Sequence, residues 1–339
     1  MIDLLLPRAP LGLLPVVLFL SALVYLDSYK LVRRRAVLTV LCIGGVGAGA
    51  GYWINVAILG RFDIELITFS RYLAPVIEEI LKGLIVVALI RFHRVGFPVD
   101  AAIFGFAAGT GFAIVENIYY LSVLADAHIA VWIVRGLGTA IMHGGATAIF
   151  AIIAHTLTEQ RGAIGLKTLA PGFAIAILIH SAFNHFLFAP VLSTIGILVA
   201  LPPLIIYVFN RSEDSLRQWM AIDFDADAEL LRLINSGEFS ESKLGSYLTM
   251  LRERFRPEVI ADLLCYVRLH VELSMRANAL LMLRESGLDA PVDPDVKSML
   301  EELEYLENSI GKTGQLAIKP FLRMSSRDLW QIYILRKEQ

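Results

Sequence analysis

Charged side chains are scarce in this sequence. Asp, Glu, Lys and Arg together make up 18% of the 339 residues, whereas apolar residues make up 56%. A soluble domain usually carries roughly 25% charged residues and about 45–50% apolar residues. The composition therefore argues against an ordinary soluble protein and predicts a protein that lies in a membrane.

Cysteines and an excess of basic residues are also lacking. The two cysteines, Cys42 and Cys265, are too few for a disulfide framework or a Cys-rich metal site. The net charge of −2 gives no overall basic field, so we expect no nucleic-acid partner. The HExxH pattern of many zinc proteases is absent as well. Any metal site must therefore be built from residues that lie far apart in the chain.

Long apolar runs fill the first two thirds of the chain. A helix needs about 17–25 mostly apolar residues to cross a bilayer. We place seven such spans near residues 9–26, 36–59, 73–90, 101–125, 129–154, 169–188 and 190–209. The sequence thus predicts an all-α, polytopic membrane protein with about seven transmembrane helices.

Positive charges between the predicted spans indicate the orientation. Lys30 and Arg33–Arg35 follow the first span, and placing them inside gives eight Lys or Arg in the inner short loops against three outside. Inner loops carry the excess of Lys and Arg in membrane proteins. We therefore expect an inner (cytoplasmic) cell membrane protein with its N-terminus outside and its C-terminus in the cytoplasm.

The composition changes after residue 210. Residues 211–339 are polar and charged, with apolar residues at helical spacing and turn signals at "DAPVDPD" and "GKTGQ". This pattern predicts a transmembrane domain over 1–210 and a cytoplasmic helical domain of unknown function over 211–339. Such a domain could dock a cytoplasmic protein partner or mediate self-association.

Ionisable residues interrupt the predicted spans. One charge near the centre of a membrane helix costs on the order of 2.5–3.5 kcal/mol, so such residues indicate function by default. With the orientation above, polar residues of four spans fall in one layer near the outer face. Regular helical spacing also aligns Arg135, Thr139 and His143 in one row. The residues that we expect to form one site, or to support it, are Glu78, Glu79, Lys82, Glu116, Asn117, Arg135, His143, His180 and Asn184.

Carboxylates and histidines without a Ser/His or Cys/His pair suit the activation of water, by either of two routes. In one, a His/His/Glu set binds Zn²⁺ and another glutamate is the base. In the other, no metal is present and a desolvated glutamate takes the proton directly. A purely structural ion-pair network is the alternative to both.

Four short motifs resemble those of the PrsW-type intramembrane proteases, in the same order. They are "EEILK" (78–82), "FAIVEN" (112–117), the "MHGG" segment (142–145) and "HSAFN" (180–184). The resemblance extends to the CAAX-processing endopeptidase and Abi group. It implies cleavage of a membrane-tethered protein near the outer face, and an anti-sigma factor is the substrate in the PrsW case.

The resemblance also implies roles for single residues. Its glutamates and its HxxxN histidine correspond to Glu78, Glu79 and His180, which we expect to be catalytic, and Asn184 is expected to donate hydrogen bonds to an oxyanion. We assign a zinc site, if one exists, to Glu116, His143 and His180. The supporting residues are Lys82, Asn117 and Arg135.

Two other functions fit the buried charges. A proton- or ion-coupled transporter would use them as an ion pathway, although the spans show no obvious inverted repeat. A receptor-like scaffold would use them only to hold its helices together. We expect the protease.

Overall fold

The computed structural model describes residues 2–27, 32–124, 126–185, 189–236, 243–285, 288, 293–318, 322 and 335. Regular structure in these residues is entirely helical. The chain divides into two compact units, Met1–Ser212 and Glu213–Gln339. Four predicted features lie partly outside the described residues: the first inner loop with Lys30, the ends of the predicted spans at 125 and at 186–188, and residues 289–292 of the "DAPVDPD" turn.

The helices that begin in the first unit follow the predicted spans, except that the last one continues from Pro190 to Ser236, well past residue 209. Two π-helical segments also occur: π1 (Phe69–Leu73) lies between α3 and α4, and π2 (Val134–Thr139) lies between α6 and α7. The α-helices are α1 (Ile2–Leu26), α2 (Arg34–Arg61), α3 (Leu66–Thr68), α4 (Ala74–Arg91), α5 (Pro98–Val123), α6 (Ile129–Ile133), α7 (Ala140–Arg161), α8 (Leu166–His185) and α9 (Pro190–Ser236).

Within the described residues, six helical segments are long and apolar enough to cross a membrane: Arg8–Leu26, Arg34–Arg61, Pro98–Val123, Ile129–Arg161, Leu166–His185 and Pro190–Ser212. The predicted third span corresponds to α4, whose 18 residues include Glu78, Glu79 and Lys82. With Arg91 at its end, α4 carries four charged residues, and this number of charges separates it from the other six. The all-α, polytopic membrane fold is therefore confirmed.

Helix α5 forms the core of the first unit. Every residue from Val99 to Ala113 is buried, and the helix packs against α2 and α7. Glycines allow this close approach: a Cβ atom at Gly111 would lie 1.8 Å from the carbonyl oxygen of Leu41, and one at Gly109 would lie 2.3 Å from that of His143. Backbone contact at Gly109 thus fixes the turn of α7 that carries His143.

The second unit contains α10 (Lys243–Leu251), α11 (Pro257–Glu285) and α12 (Asp295–Ile318). Helices α11 and α12 pack through apolar residues such as Leu263 and Leu303. Gly311 interrupts α12 with φ 60° and ψ −179°, a conformation that favours glycine. This break is the predicted "GKTGQ" turn.

Candidate active site

The two adjacent glutamates of α4 have different surroundings. Lys82 lies one helical turn after Glu79 and donates a hydrogen bond of 2.5 Å to its Oε1 atom. Both side chains are almost fully buried, with exposed fractions of 0% for Lys82 and 1% for Glu79. Successive helical residues point about 100° apart, and the Glu78 side chain is 13% exposed. Glu79 is therefore neutralised by Lys82, while Glu78 faces a different part of the site.

His180 of α8 lies between these two carboxylates. Its Nδ1 atom is 2.8 Å from Glu79 Oε1, and its Nε2 atom is 3.8 Å from Glu78 Oε2. Because an ionised carboxylate can only accept a hydrogen bond, Nδ1 carries the ring proton and donates a hydrogen bond to Glu79. A neutral His180 then presents the lone pair of Nε2 toward Glu78. This carboxylate–histidine arrangement is the one that orients metal-binding and proton-accepting histidines.

His143 of α7 connects this pair to a third carboxylate. Its Nδ1 atom lies 2.9 Å from Lys82 Nζ, and its Nε2 atom lies 2.9 Å from Glu116 Oε2 on α5. The short distance to Glu116 is poorly aligned for a hydrogen bond, since the buried Oε2 atom has no hydrogen-bond partner among the described residues. The rings of His143 and His180 are in edge-to-face contact, 4.6 Å between centroids.

Arg135 of π2 holds the other oxygen of Glu116. Its Nη2 atom donates to Glu116 Oε1 at 3.1 Å, and its Nε atom donates to Asn117 Oδ1 at 2.9 Å. The Asn117 amide in turn donates to the carbonyl oxygen of Gly12 in α1 at 2.7 Å. Eight predicted residues thus form one continuous set of contacts, which we call the polar centre: Glu78, Glu79, Lys82, Glu116, Asn117, Arg135, His143 and His180.

The ninth predicted residue, Asn184, has a different neighbour. Its amide donates to the carbonyl oxygen of Ser70 at 2.9 Å, and Ser181 donates to the carbonyl oxygen of Arg71 at 2.6 Å. The His185 ring contacts Tyr72, with 4.8 Å between the centroids. The end of α8 is therefore attached to the backbone of π1, the segment that leads into α4.

The predicted α-helical row of Arg135, Thr139 and His143 is wrong. Residues 134–139 form π2, in which hydrogen bonds run from residue i to i+5 and change the angular spacing of side chains. Arg135 and His143 nevertheless both reach Glu116. No side-chain pattern in the sequence indicated either π-helical segment.

Three contributors to the centre were missed in the sequence. Thr147 donates to the carbonyl of His143 at 3.0 Å and lies 3.5 Å from Glu79 Oε2. Tyr120 lies under the Arg135 guanidinium, 3.7 Å from the ring centroid. Both could have been found, since each lies four residues after a predicted site residue. The contribution of Gly12 is a backbone carbonyl, which carries no sequence signal.

Three side chains are close enough together to bind one metal ion. Among the described residues, ligand atoms of Glu78, His143 and His180 all lie within 4.8 Å of one another. The predicted zinc site had Glu116 in the place that Glu78 takes in this group. Two histidines and a carboxylate are a known set of zinc ligands. The open Nε2 atom of His180 and the unpartnered Oε2 atom of Glu116 beside His143 are further features that suit a cation, so the residues fit a metal.

The chain was also compared with known proteins. The family model of the PrsW family intramembrane metalloproteases matches residues 33–209, more than half of the chain, and this range contains the whole polar centre. Searches of curated proteins and of solved structures gave no significant match. The motifs, the polar centre and the family match lead to one conclusion: the chain belongs to the PrsW family of intramembrane metalloproteases and is a multi-pass membrane peptidase.

Proposed function

We propose that the protein cleaves a membrane-tethered protein substrate with water activated between Glu78 and His180. The observation that carries this proposal is the difference between the two adjacent glutamates. Glu79 is neutralised by Lys82 at 2.5 Å, whereas Glu78 Oε2 faces the open Nε2 atom of His180 at 3.8 Å. That distance is longer than a hydrogen bond and leaves both groups able to contact the same water or ion.

The residues divide the work. Glu78 accepts the proton of the attacking water, because it is the carboxylate of α4 that Lys82 does not neutralise. Glu79 keeps the Nδ1 proton of His180 in place and so keeps Nε2 directed at the water. Lys82 compensates the buried charge of Glu79 and contacts His143. In this scheme the ionisable residues of the spans take part in catalysis, which explains their presence despite the free-energy cost of placing charges in the membrane.

Glu78, His143 and His180 would hold the metal ion. When bound, zinc would polarise the scissile carbonyl and lower the pKa of its water to about 7. The carboxylate of Glu78 has two oxygens, so one can bind an ion while the other accepts a proton. Glu116 supports His143 from the side of Nε2.

The oxyanion role of Asn184 stays part of the proposal with one restriction. One N–H of its amide is used by the carbonyl of Ser70. Only the second N–H is left to donate to the substrate. Its attachment to π1 also holds α8, and with it His180, next to α4.

We propose cleavage near the outer face, in the inner (cytoplasmic) membrane. If α4 begins at the outer surface, Glu78, its fifth residue, lies about 6 Å below it at 1.5 Å per residue. An anti-sigma-factor-like regulator anchored by one membrane helix is a substrate with a peptide bond at that depth. In the same orientation the second unit lies in the cytoplasm, available to a protein partner or to a second copy.

The test is cleavage of a single-span membrane protein by the purified enzyme in nanodiscs, with fragments identified by mass spectrometry. We expect Glu78→Gln and His180→Ala to lower kcat by about 10²–10⁴-fold, and the exposed control Asp63→Asn to cleave normally. Wild-type cleavage by Glu78→Gln would refute the water-activating pair.

Metal content separates the two routes. About one zinc per wild-type chain that is lost in His180→Ala would support the metal route, and active wild type without metal would support direct activation by Glu78. The transporter alternative is not favoured by the family. It would return only if ion flux into liposomes depended on Glu116 or His143 while no substrate was cut.

A further inference from the structure

Arg135 is held more tightly than a simple counter-ion requires. Its guanidinium donates to Glu116 at 3.1 Å and to Asn117 at 2.9 Å, and its Cζ atom lies over the Tyr120 ring, 3.7 Å from the centroid. The side chain is 14% exposed. A planar guanidinium with hydrogen bonds on two sides and an aromatic ring on its face has one orientation. A lysine could not reproduce this geometry.

The fixed orientation of Arg135 in turn orients the carboxylate of Glu116. Arg135 binds the Oε1 atom, and the buried Oε2 atom lies 2.9 Å from His143 Nε2. Rotation of the carboxylate about its Cγ–Cδ bond would move its oxygens away from Nε2 of His143. The contact with Arg135 therefore fixes the plane of the carboxylate, so that one oxygen stays beside the histidine of the site.

Helix α1 holds Arg135 in turn. Asn117 accepts from Arg135 and donates to the Gly12 carbonyl at 2.7 Å. Helix α1 and π2 are in backbone contact there, since a Cβ atom at Gly136 would lie 1.8 Å from the carbonyl oxygen of Leu11. Helix α1 ends before residue 33, where the family match begins. The support for Arg135 thus comes partly from outside the matched region.

We propose that Arg135 is a positioning residue for the cleavage reaction, acting through Glu116 on His143, with Asn117 and the Gly12 carbonyl fixing its orientation. The proposal rests on the proposed function of the polar centre. The alternative is a purely structural role, in which Arg135 only holds α1, α5 and π2 together. The two roles differ in their dependence on Glu116.

The experiment is a double-mutant cycle on cleavage in nanodiscs with the full-length protein. Loss of an orienting partner costs about 10–100-fold in activity, so we expect Arg135→Ala to lower kcat by that factor with little change in KM. In the Glu116→Gln background, the same change should have almost no further effect, because its target is gone. Arg161→Ala is the matched control, since Arg161 is an exposed arginine on α7 that donates to the Lys167 carbonyl.

Chemical rescue distinguishes the loss of the guanidinium from misfolding of the variant, because a misfolded protein would not recover activity. Methylguanidinium in the assay should restore part of the activity of Arg135→Ala, whereas Arg135→Lys should stay low because an ammonium lacks the fork. The proposal is overturned if Arg135→Ala cleaves normally, or if the losses from Arg135→Ala and Glu116→Gln multiply. Failure of the proposed function would look different: Glu78→Gln would then remain active whatever the outcome at Arg135.

Discussion

Both units of this protein bury polar side chains among helices, but they do so in different ways. In the first unit a group of buried or partly buried ionisable side chains is in contact, from Arg135 through Glu116 and His143 to Lys82 and Glu79. In the second unit, Tyr266, His270, Ser274 and Asn278 form a buried row along α11 at intervals of four residues. The Nε2 atom of His270 has no hydrogen-bond partner among the described residues.

This difference in contacts between buried polar groups distinguishes a functional site from a packed helical interior. Contact between opposite charges allows several ionised groups to remain charged in a low-dielectric region. A single histidine in apolar surroundings is instead driven to its neutral form, and burial lowers the pKa of His270 to about 4. Buried polar residues therefore indicate chemistry in this chain where they gather charges of both signs. The predictions below test that distinction.

Loss of Lys82 should have the largest effect. Lys82→Met leaves the buried carboxylate of Glu79 without its cation, and breaking a buried pair from one side typically costs about 3–5 kcal/mol. We expect a clear fall in the free energy of unfolding, measured by denaturant titration in detergent. The double variant Lys82→Met/Glu79→Gln should recover part of it, since no unpaired charge remains.

The control for that experiment is Lys167→Met, at an exposed lysine at the start of α8. It removes the same charge without uncovering a buried partner, so its effect should be within experimental error. Equal losses at Lys82 and Lys167 would mean that the polar centre is not held by its internal ion pairs.

Glu79→Gln should have the next largest effect. The carbonyl oxygen of a glutamine can still accept a hydrogen bond from the Nδ1–H group of His180, but the neutral amide no longer stabilises a positive charge on the ring. We expect kcat to fall by about 10–100-fold, less than for Glu78→Gln, in a cleavage assay with a membrane-tethered substrate. A greater loss at Glu79 than at Glu78 would exchange the roles assigned to these two neighbours.

The sequence predicted the existence and order of the membrane helices well, because a helix needs a long apolar run to cross a bilayer. It predicted their ends less well, since α9 continues to Ser236 where the predicted span ended at 209. Observed α2 spans Arg34–Arg61 where residues 36–59 were predicted. The clustering of residues from four helices could also be predicted, since consecutive spans run in opposite directions and the predicted bounds place these residues at one level. Hydrogen bonds to backbone could not: the carbonyl of Gly12 that binds Asn117, and that of Ser70 that binds Asn184, have no side-chain signature. The two π-helical segments could not be predicted either, because their backbone hydrogen-bond pattern has no side-chain signature.

His270 should give the second unit a stability that depends on pH. Its pKa is about 4 in the folded protein and roughly 6.5 when unfolded, so the unfolded chain binds more protons between these values. Stability is therefore complete above about pH 6.5 and is lost as the pH falls toward 4, by about 2 kcal/mol at pH 5. Hydrogen exchange of α11 in the whole protein should accelerate between pH 7 and 5, after correction for intrinsic rates.

His270→Leu should abolish that pH dependence, because a neutral apolar side chain has no proton to bind. His93→Asn is the matched control: His93 is exposed, and asparagine tolerates its positive φ of 52°. The control should keep the wild-type pH profile of α11. An unchanged profile in His270→Leu would locate the pH sensitivity elsewhere in the unit.

Labelling of the two cysteines should have the smallest effect on the protein, and it compares the surroundings of one helix in each unit. Cys42 on α2 and Cys265 on α11 are both free and exposed in the structure. A thiol reacts with a maleimide as the thiolate, which needs water. Cys42 lies in a membrane-crossing helix, so we expect a membrane-impermeant maleimide to label only Cys265, and only from the cytoplasmic side of membrane vesicles. Each single Cys→Ser variant should cleave normally and identify the labelled site. Labelling of Cys265 from the outer side would reverse the proposed orientation and move the polar centre to the cytoplasmic half of the membrane.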